Sequence, residues 1–220
     1  MADSPKSFQL SPELHAYLVE HGAQPDEVLA GLTAETKQLG GISVMQIAPE
    51  QGAFMTLLAR ATGARRAVEV GTFTGLSALC LARGLADDGI LIACDVSDEW
   101  TSIGRPYWKK AGVAHKIDLR IGPAIDTLAA LPRDESIDLS FIDADKPSYL
   151  RYFEELLART RPNGLILVDN VLWGGNVVDP GANDENTTAL RSFNDHVAAD
   201  PRVDCVMLPI ADGLTLLRKR

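Results

Sequence analysis

The sequence predicts an α/β fold, a doubly wound and mostly parallel sheet with helices before it and an antiparallel hairpin after it. Short apolar segments alternate with helix-length segments between residues 66 and 169, which is the rhythm of βαβ units. The pair Asp212-Gly213 near the end of the chain is a strong hairpin turn signal. No linker is visible, so residues 1–220 are predicted to be one domain, with a helical cap over 1–62 and an α/β core over 63–220.

The first 62 residues carry three helix starts. Ser11-Pro12-Glu13 places an N-cap serine before a proline, which is favoured at the first helical position. Pro25-Asp26-Glu27 and Pro49-Glu50 predict two further starts, and apolar residues follow each of them at helical spacing. These helices precede any predicted strand.

Five apolar segments are the predicted parallel strands, with helix starts at Thr74-Gly75, Pro123 and Pro147 and helix ends at Gly84, Gly112 and Asn163-Gly164 between them. After residue 172 the sequence predicts a polar loop to residue 186, a helix from about Thr187 to Ala199, and two final strands. The predicted strands are Arg66 to Val70, Ile90 to Asp95, Ile117 to Ile121, Ile137 to Ile142, Leu165 to Asp169, Cys205 to Pro209 and Leu214 to Leu217.

Composition argues against several classes of partner. Twenty-one basic against 30 acidic residues give a net charge of −9, so a nucleic-acid partner is not expected. No apolar run is long enough to cross a membrane, and the start M-A-D-S-P-K-S-F lacks the plan of a secretory signal. A cytoplasmic protein is therefore expected, with Cys80, Cys94 and Cys205 as small core residues rather than metal ligands or disulfide partners.

Two predicted strands end in oxygen-bearing side chains. Leu139 to Lys146 reads L-S-F-I-D-A-D-K, and Leu165 to Asn170 reads L-I-L-V-D-N. If these strands are neighbours, Asp143, Asp169 and Asn170 converge at the edge of the sheet where open α/β proteins hold their ligands. Such oxygen ligands favour Mg²⁺, Ca²⁺ or Mn²⁺.

The residues around this cluster have two interpretations each. Lys146 lies three residues after Asp143 and could act as a base, because a nearby cation disfavours the ammonium; otherwise it is an ordinary solvated lysine. Asp145 could instead cap the helix that starts near Pro147. Trp173, which precedes two glycines, is placed either to wall a pocket for a flat ring or only to pack under a lid.

A second candidate site is the glycine turn from Glu69 to Gly75, which reads E-V-G-T-F-T-G. Its spacing differs from the dinucleotide fingerprint, and the acidic Glu69 favours a cationic or hydroxylated ligand. Asp95, at the end of the next strand, is well placed for ribose hydroxyls. The alternatives are a helix-dipole partner for Glu69 and a helix cap for Asp95.

Several ordered motifs together resemble the cation-dependent class I O-methyltransferases, the caffeoyl-CoA and catechol O-methyltransferase group. They are M-Q-I-A-P-E-Q-G-A-F, E-V-G-T-F-T-G-L-S, A-G-V-A-H-K-I, G-P-A, F-I-D-A-D-K-x-x-Y, V-D-N-V-L-W-x-G and a closing D-G-L. The resemblance implies a Rossmann-like seven-stranded sheet with a reversed last hairpin, a homodimer, and N-terminal helices that help to cover the site.

The resemblance also implies a reaction, methyl transfer from S-adenosylmethionine to a vicinal diphenol. Lys146 and Asp143 would be the catalytic residues, Trp173 would contact the substrate, and Asp143, Asp169 and Asn170 would hold the divalent cation, Mg²⁺ before Ca²⁺ or Mn²⁺. The implied cofactor residues are Met45, Glu69, Gly71, Thr72, Ser77, Asp95, Ala124 and Asp145.

Two departures from the plant caffeoyl-CoA enzymes favour a small free catechol over a coenzyme A thioester. This chain has Ile47 where those enzymes have threonine, and Gly174 where they have asparagine. The N-terminal region also has no evident basic patch for the phosphates of coenzyme A.

Three other functions remain open from the sequence. The D-x-D at Asp143 and Asp145 could belong to a Mg²⁺-dependent phosphohydrolase, which turnover of an aryl phosphate would reveal. A nicotinamide-dependent oxidoreductase is disfavoured by the glycine spacing. A methyltransferase-like binding protein without turnover is the non-enzymatic alternative.

Overall fold

The computed structural model describes residues 10–220, and the N-terminal octapeptide used to argue against a secretory signal lies outside this range. Its centre is a seven-stranded sheet with the order β3-β2-β1-β4-β5-β7-β6. All pairs are parallel except β5 with β7 and β7 with β6, which confirms the predicted sheet and its reversed hairpin. The strands are β1 Arg66–Val70, β2 Ile90–Asp95, β3 Ile117–Ile121, β4 Ile137–Ile142, β5 Thr160–Val168, β6 Val203–Leu208 and β7 Leu214–Lys219.

Within the described residues, eight α-helices surround the sheet, and several begin as the sequence predicts. Ser11 accepts a hydrogen bond from the Leu14 amide at 3.3 Å, and Asp26 accepts one from the Leu29 amide at 3.0 Å. The helices are α1 Pro12–Gly22, α2 Glu27–Lys37, α3 Pro49–Ala61, α4 Leu76–Gly84, α5 Asp98–Lys110, α6 Ala124–Ala130, α7 Tyr149–Leu157 and α8 Glu185–Ala199, with 3-10 turns at Gly40–Met45, Ala114–Lys116, Lys146–Ser148 and Trp173–Val178.

Apolar side chains fill the space on both faces of the sheet. Ala67 and Val68, adjacent on β1, belong to different core clusters because successive side chains of a strand point to opposite faces. The first cluster includes Leu32 of α2 and Met55 of α3, so the N-terminal helices share the core of the sheet. Within residues 10–220, no helix combines the length and apolar character that crossing a membrane requires.

The register of β4 and β5 brings the two predicted strand tips together. Ile142 pairs with Val168, so Asp143 and Asp169 directly follow paired residues. The Asp169 amide donates to the Ile142 carbonyl at 3.0 Å, and the Asp143 amide donates to the Val70 carbonyl at 2.8 Å. The predicted adjacency of these strands is therefore confirmed.

Two predictions from the sequence are wrong. β5 starts at Thr160 rather than Leu165, because the strand contains a bulge. Ile137 pairs with Thr160 and Leu139 pairs with Leu165, so β5 uses five residues where β4 uses two. Asn163, inside the bulge, has a φ of 64°. Asn163-Gly164 therefore lies inside a strand and does not end α7. Cys205 is exposed rather than part of the core, since β6 is the edge strand.

Candidate active site

A cleft of about 950 Å³ lies beyond the carboxyl ends of the parallel strands. This is where open α/β sheets hold their ligands. Every predicted site residue except Glu69 lines it: Met45, Gly71, Thr72, Ser77, Asp95, Ala124, Asp143, Asp145, Lys146, Asp169, Asn170 and Trp173. The fold thus brings together residues that are up to 128 positions apart, from Met45 to Trp173.

The glycine turn between β1 and α4 is packed too tightly for side chains. Gly71 has a φ of 90°, and a Cβ there would lie 1.8 Å from the carbonyl oxygen of Asp143. Gly75 has a φ of 86°, and its Cβ would lie 2.4 Å from the Trp108 ring. Both glycines are required because a side chain would be strained and would also overlap its neighbour.

Glu69 lies beneath this turn, fully buried. One carboxylate oxygen, Oε2, accepts a hydrogen bond from the Thr72 hydroxyl at 2.7 Å, whereas Oε1 has no hydrogen-bond partner. Burial raises the pKa of Glu69 to about 8. A buried carboxylate oxygen without a partner is a place where a ligand donor would lower the free energy.

Asp95, the last residue of β2, accepts hydrogen bonds from the same turn. Its Oδ2 accepts from the amides of Thr72 at 2.9 Å and Phe73 at 2.7 Å, and its Oδ1 accepts from the Ser97 amide at 2.8 Å. Asp95 therefore supports the turn, and it still lines the cleft. Each carboxylate oxygen has lone pairs to spare for hydroxyl donors, so its predicted role toward ribose stays a prediction.

Lys146 lies among the predicted metal ligands. Its Nζ is 3.1 Å from Asp143 Oδ1 and 2.6 Å from Asn170 Oδ1. It also donates to the Tyr149 hydroxyl at 2.6 Å, and that hydroxyl donates to the Asp169 carbonyl at 3.2 Å. With 7% of its surface exposed, Lys146 is not the solvated lysine of the alternative interpretation.

The two carboxylates of this cluster carry more negative charge than their surroundings balance. Burial, then the charge of Asp143, raises the pKa of Asp169 to about 7. Burial also raises the pKa of Asp143, although Lys146 opposes the rise. The buried Asp169, the partly exposed Asp143 and the Asn170 amide oxygen form a hard-oxygen donor set, which fits Mg²⁺, Ca²⁺ or Mn²⁺.

Asp145 does not cap a helix with its side chain, although it precedes the 3-10 turn at Lys146–Ser148. Its Oδ1 accepts a hydrogen bond from the Tyr152 hydroxyl at 2.6 Å, at the wall of the cleft. Burial, then this bond, raises the pKa of Tyr152. The carboxylate therefore lies in the cleft wall, and its predicted role toward the cofactor stays a prediction.

Trp173 lies both in the cleft wall and against the core, so its role toward a flat ring stays a prediction. Its ring lines the cleft, with Lys146 Nζ 5.6 Å from the ring centroid, and it also packs against the core cluster of the second face. Its backbone has a φ of 48°, and the following Gly174 amide donates to Asp212 Oδ1 at 2.6 Å. The β6–β7 turn thus holds the loop that carries Trp173.

Sequence reasoning missed several residues of the site. Tyr149, Gln51 and Asp212 each lie inside a motif that carried the resemblance, but none had been given a role. Gln51 is buried in the cleft wall, and its Nε2 has no hydrogen-bond partner. The motif spacing was the available signal, and only the fold shows what each side chain contacts.

Residues 19–220 match the family model described as O-methyltransferase. The chain belongs to the O-methyltransferase family. It is 42% identical over 207 residues to probable caffeoyl-CoA O-methyltransferase 1 of Dictyostelium discoideum, covering 92% of this chain and 90% of that protein. It is 41% identical over 229 residues to tricin synthase 2 of Oryza sativa subsp. japonica, covering 99% and 78%.

A solved O-methyltransferase from Bacillus cereus, in complex with SAH, superposes with a TM-score of 0.86 at 30% identity, covering 94% of this chain and 97% of that one. The predicted family and its Rossmann-like fold are therefore confirmed. Membership of the O-methyltransferase family disfavours both the phosphohydrolase and the nicotinamide-dependent oxidoreductase.

Proposed function

We propose that this O-methyltransferase transfers the methyl group of S-adenosylmethionine to one hydroxyl of a small vicinal diphenol, with a divalent cation bound beside the cofactor. The observation that carries the proposal is the adjacency of two half-sites. The backbone of Asp143, which directly follows β4, packs against the glycine turn at Gly71, while its side chain and that of Asn170 both contact Lys146. The glycine turn proposed to bind the cofactor and the proposed metal ligands therefore meet at Asp143.

Glu69 and Asp95 are the proposed polar anchors of the cofactor. The free Oε1 of Glu69 suits the ammonium group of S-adenosylmethionine, and Asp95 suits its ribose hydroxyls. Met45, with 46% of its surface exposed, and Trp100 add apolar surface to the wall of the same cleft. Such a combination of apolar walls and few polar groups is typical of cofactor sites.

Asp143, Asp169 and Asn170 would hold the cation. Bound there, it would act as a Lewis acid toward the oxygens of a diphenol. Lys146 is within hydrogen-bonding distance of two of these residues and contacts the cleft, so it is positioned to accept the phenolic proton in its neutral form. Holding the two reactants in contact would supply much of the acceleration.

The charges of the cleft favour a free diphenol over a coenzyme A thioester. Among the described residues that line it, Lys146 is the only one with a basic side chain, against Asp95, Asp143, Asp145, Asp169 and Asp212. The phosphates of coenzyme A would find no arginine there, and no lysine other than Lys146. The indole of Trp173 offers a flat surface for an aromatic ring beside the donor set.

A methyl-transfer assay with labelled S-adenosylmethionine tests the proposal. Catechols, flavonoids and hydroxycinnamoyl thioesters are compared with Mg²⁺ and after removal of metal by EDTA. We expect turnover of the free diphenols that EDTA abolishes and Mg²⁺ restores. Turnover that persists in EDTA would contradict the role of the cation, and preferred methylation of the thioesters would contradict the free acceptor.

The variant Asp143→Asn tests the role of the oxygen donor set in catalysis. We expect kcat to fall about a thousandfold, since loss of Lewis-acid stabilisation corresponds to several kcal/mol of barrier. Asp118→Asn, on the exposed face of β3 and paired with Arg120, is the control and should keep its activity. Cofactor affinity, measured by calorimetry, should change little in either variant, and equal loss of activity in both would argue against the assignment.

A further inference from the structure

The side chain of Lys146 makes an unusual set of contacts for a lysine. An ammonium has three N–H donors and no acceptor. Three oxygens lie within hydrogen-bonding distance of Nζ: Asn170 Oδ1 at 2.6 Å, the Tyr149 hydroxyl at 2.6 Å and Asp143 Oδ1 at 3.1 Å. All its donors are therefore used inside the cleft wall, where the side chain is 8% exposed.

Two of those three oxygens belong to the proposed metal ligands. Asp143 and Asp169 are carboxylates that follow adjacent strands, so their like charges lie close together. A positive charge between Asp143 and Asn170 reduces this repulsion. Lys146 supplies such a charge from within the chain.

From this geometry we infer that Lys146 is the resident cation of the metal-free donor set, and that a divalent ion must displace its ammonium to bind. The inference rests on the metal role proposed above. An ion coordinated by Asp143 Oδ1 and Asn170 Oδ1 needs the same lone pairs that Nζ uses, and two cations at such short range repel each other. Lys146 and the metal therefore compete for one site.

Tyr149 gives the displaced ammonium a partner that is not a proposed ligand. Its hydroxyl donates to the Asp169 carbonyl and accepts from Lys146, and its ring centroid is 4.8 Å from Nζ. The Trp173 ring, at 5.6 Å, offers a second neutral contact. Lys146 can thus leave the two ligand oxygens without losing every favourable contact. The consequence is a metal site with weakened affinity that does not collapse when it is empty.

The test measures metal binding without turnover. Chelator-stripped full-length protein, free of cofactor and acceptor, is titrated with Mn²⁺ by electron paramagnetic resonance, and its Tm is recorded with and without Mn²⁺. In Lys146→Met we expect the Kd for Mn²⁺ to fall at least about tenfold, because the competing charge is gone. We also expect a lower metal-free Tm and a larger rise in Tm on adding Mn²⁺.

Lys116→Met is the matched control. Lys116 is also 8% exposed, but its Nζ donates to the Leu85 carbonyl at 3.1 Å, away from the cleft. Its Kd for Mn²⁺ should equal that of the wild type, and any loss of Tm should be the same with and without metal. Lys146→Gln, neutral and able to hydrogen-bond, repeats the test if Lys146→Met does not fold.

The outcomes separate this inference from the proposed function. Mn²⁺ binding by the wild type with an unchanged or weaker Kd in the Lys146 variants would overturn the inference and leave the metal site in place. No Mn²⁺ binding in the wild type or in any variant would overturn the metal site itself. Binding that appears only in the Lys146 variants would support the competition in its strongest form.

Discussion

The half of the cleft around the glycine turn and the half around Asp143 and Asp169 differ in how far the chain completes them. In the cofactor half, Asp95 accepts three backbone amides, and Oε1 of Glu69 lacks a hydrogen-bond partner. In the acceptor half, Lys146 pairs with Asp143, and the buried carboxylate of Asp169 lies on the adjacent strand tip. Folding therefore prepares the first half, whereas the second half needs a ligand to balance its charge.

The two halves also differ in how closely their backbone is packed. The cofactor turn uses glycines at its closest contacts and is packed against β4 and α5. Both halves contain non-glycine residues with positive φ, Phe73 at 48° in the cofactor turn and Asn170 at 57° and Trp173 at 48° in the acceptor loop, but only the acceptor loop continues into two glycines with no atom near their missing Cβ. Left-handed non-glycine residues cost free energy and are often found at functional sites. The acceptor half has more room to adjust than the cofactor half.

The largest effect should come from a methyl group added at Gly71. Gly71→Ala places a Cβ 1.8 Å from a backbone carbonyl at a φ of 90°, so the turn must move. We expect the free energy of unfolding to fall by more than ~4 kcal/mol, which lowers Tm by at least about 10 °C in a chain of this size. Thermal denaturation followed by circular dichroism measures this.

Gly174→Ala is the paired change in the acceptor half. Gly174 has a φ of 59° with nothing within 4 Å of its Cβ position, so only the backbone strain remains. That strain is worth ~1–2 kcal/mol, or a few degrees in Tm. If the two variants lost equal stability, the contrast in packing between the halves would be wrong.

A second prediction concerns protons in the cofactor half. The pKa of Glu69 is raised to about 8 by burial, so the ligand-free protein holds this proton at pH 7. A cationic cofactor favours the carboxylate, and its binding should therefore release a proton. The Kd for S-adenosylmethionine should fall by up to about tenfold per pH unit between about pH 6 and 7.5. Calorimetry in two buffers of different ionisation enthalpy counts the released protons.

Glu69→Gln keeps the shape of the side chain without the titration. Its Kd should be weaker and nearly independent of pH over this range, with no proton released. Wild-type binding at pH 7 that releases no proton would mean that Glu69 does not face the cationic group of the cofactor. That result would leave the acceptor half unaffected.

The sequence predicts some features of the two halves but not others. The carboxylates at the strand tips were predictable, because parallel strands end at one edge and the apolar runs mark where they end. The contacts of Lys146 were not, since its partner Asn170 is 24 residues away and the direction of a long side chain does not follow from spacing. The bulge that starts β5 at Thr160 was also missed, because Pro162, Asn163 and Gly164 are typical turn residues.

The N-terminal helices α1 to α3 show the same limit. They follow from capping residues, but the contacts that tie this part of the chain to the glycine turn do not. Thr36 of α2 donates to the Thr74 hydroxyl at 2.8 Å, and Gln46 Nε2 donates to the Thr36 hydroxyl at 2.9 Å. Hydroxyl and amide side chains that meet from three separate segments leave no periodic pattern in the sequence.

The smallest expected effect tests whether the hairpin turn supports the acceptor loop. Asp212→Ala removes the oxygen that accepts from the Gly174 amide at 2.6 Å, while the backbone bond from the Leu172 amide to the Asp212 carbonyl remains. We expect kcat/KM for the acceptor to fall threefold to tenfold, about the ~1 kcal/mol of one such bond, with the Kd for the cofactor unchanged. Steady-state kinetics with the diphenol varied at saturating cofactor measure it.

Asp179→Ala is the matched control for Asp212→Ala, because Asp179 Oδ1 holds the Gly181 amide at 2.8 Å in the same loop region but does not line the cleft. Asp212→Asn retains an acceptor oxygen and should recover most of the activity. If Asp179→Ala lowered kcat/KM as much as Asp212→Ala, general loosening of the loop would explain both. Loss in Asp212→Ala alone would mean that the β6–β7 turn sets the position of Trp173, so that the last hairpin of the chain contributes to the acceptor half.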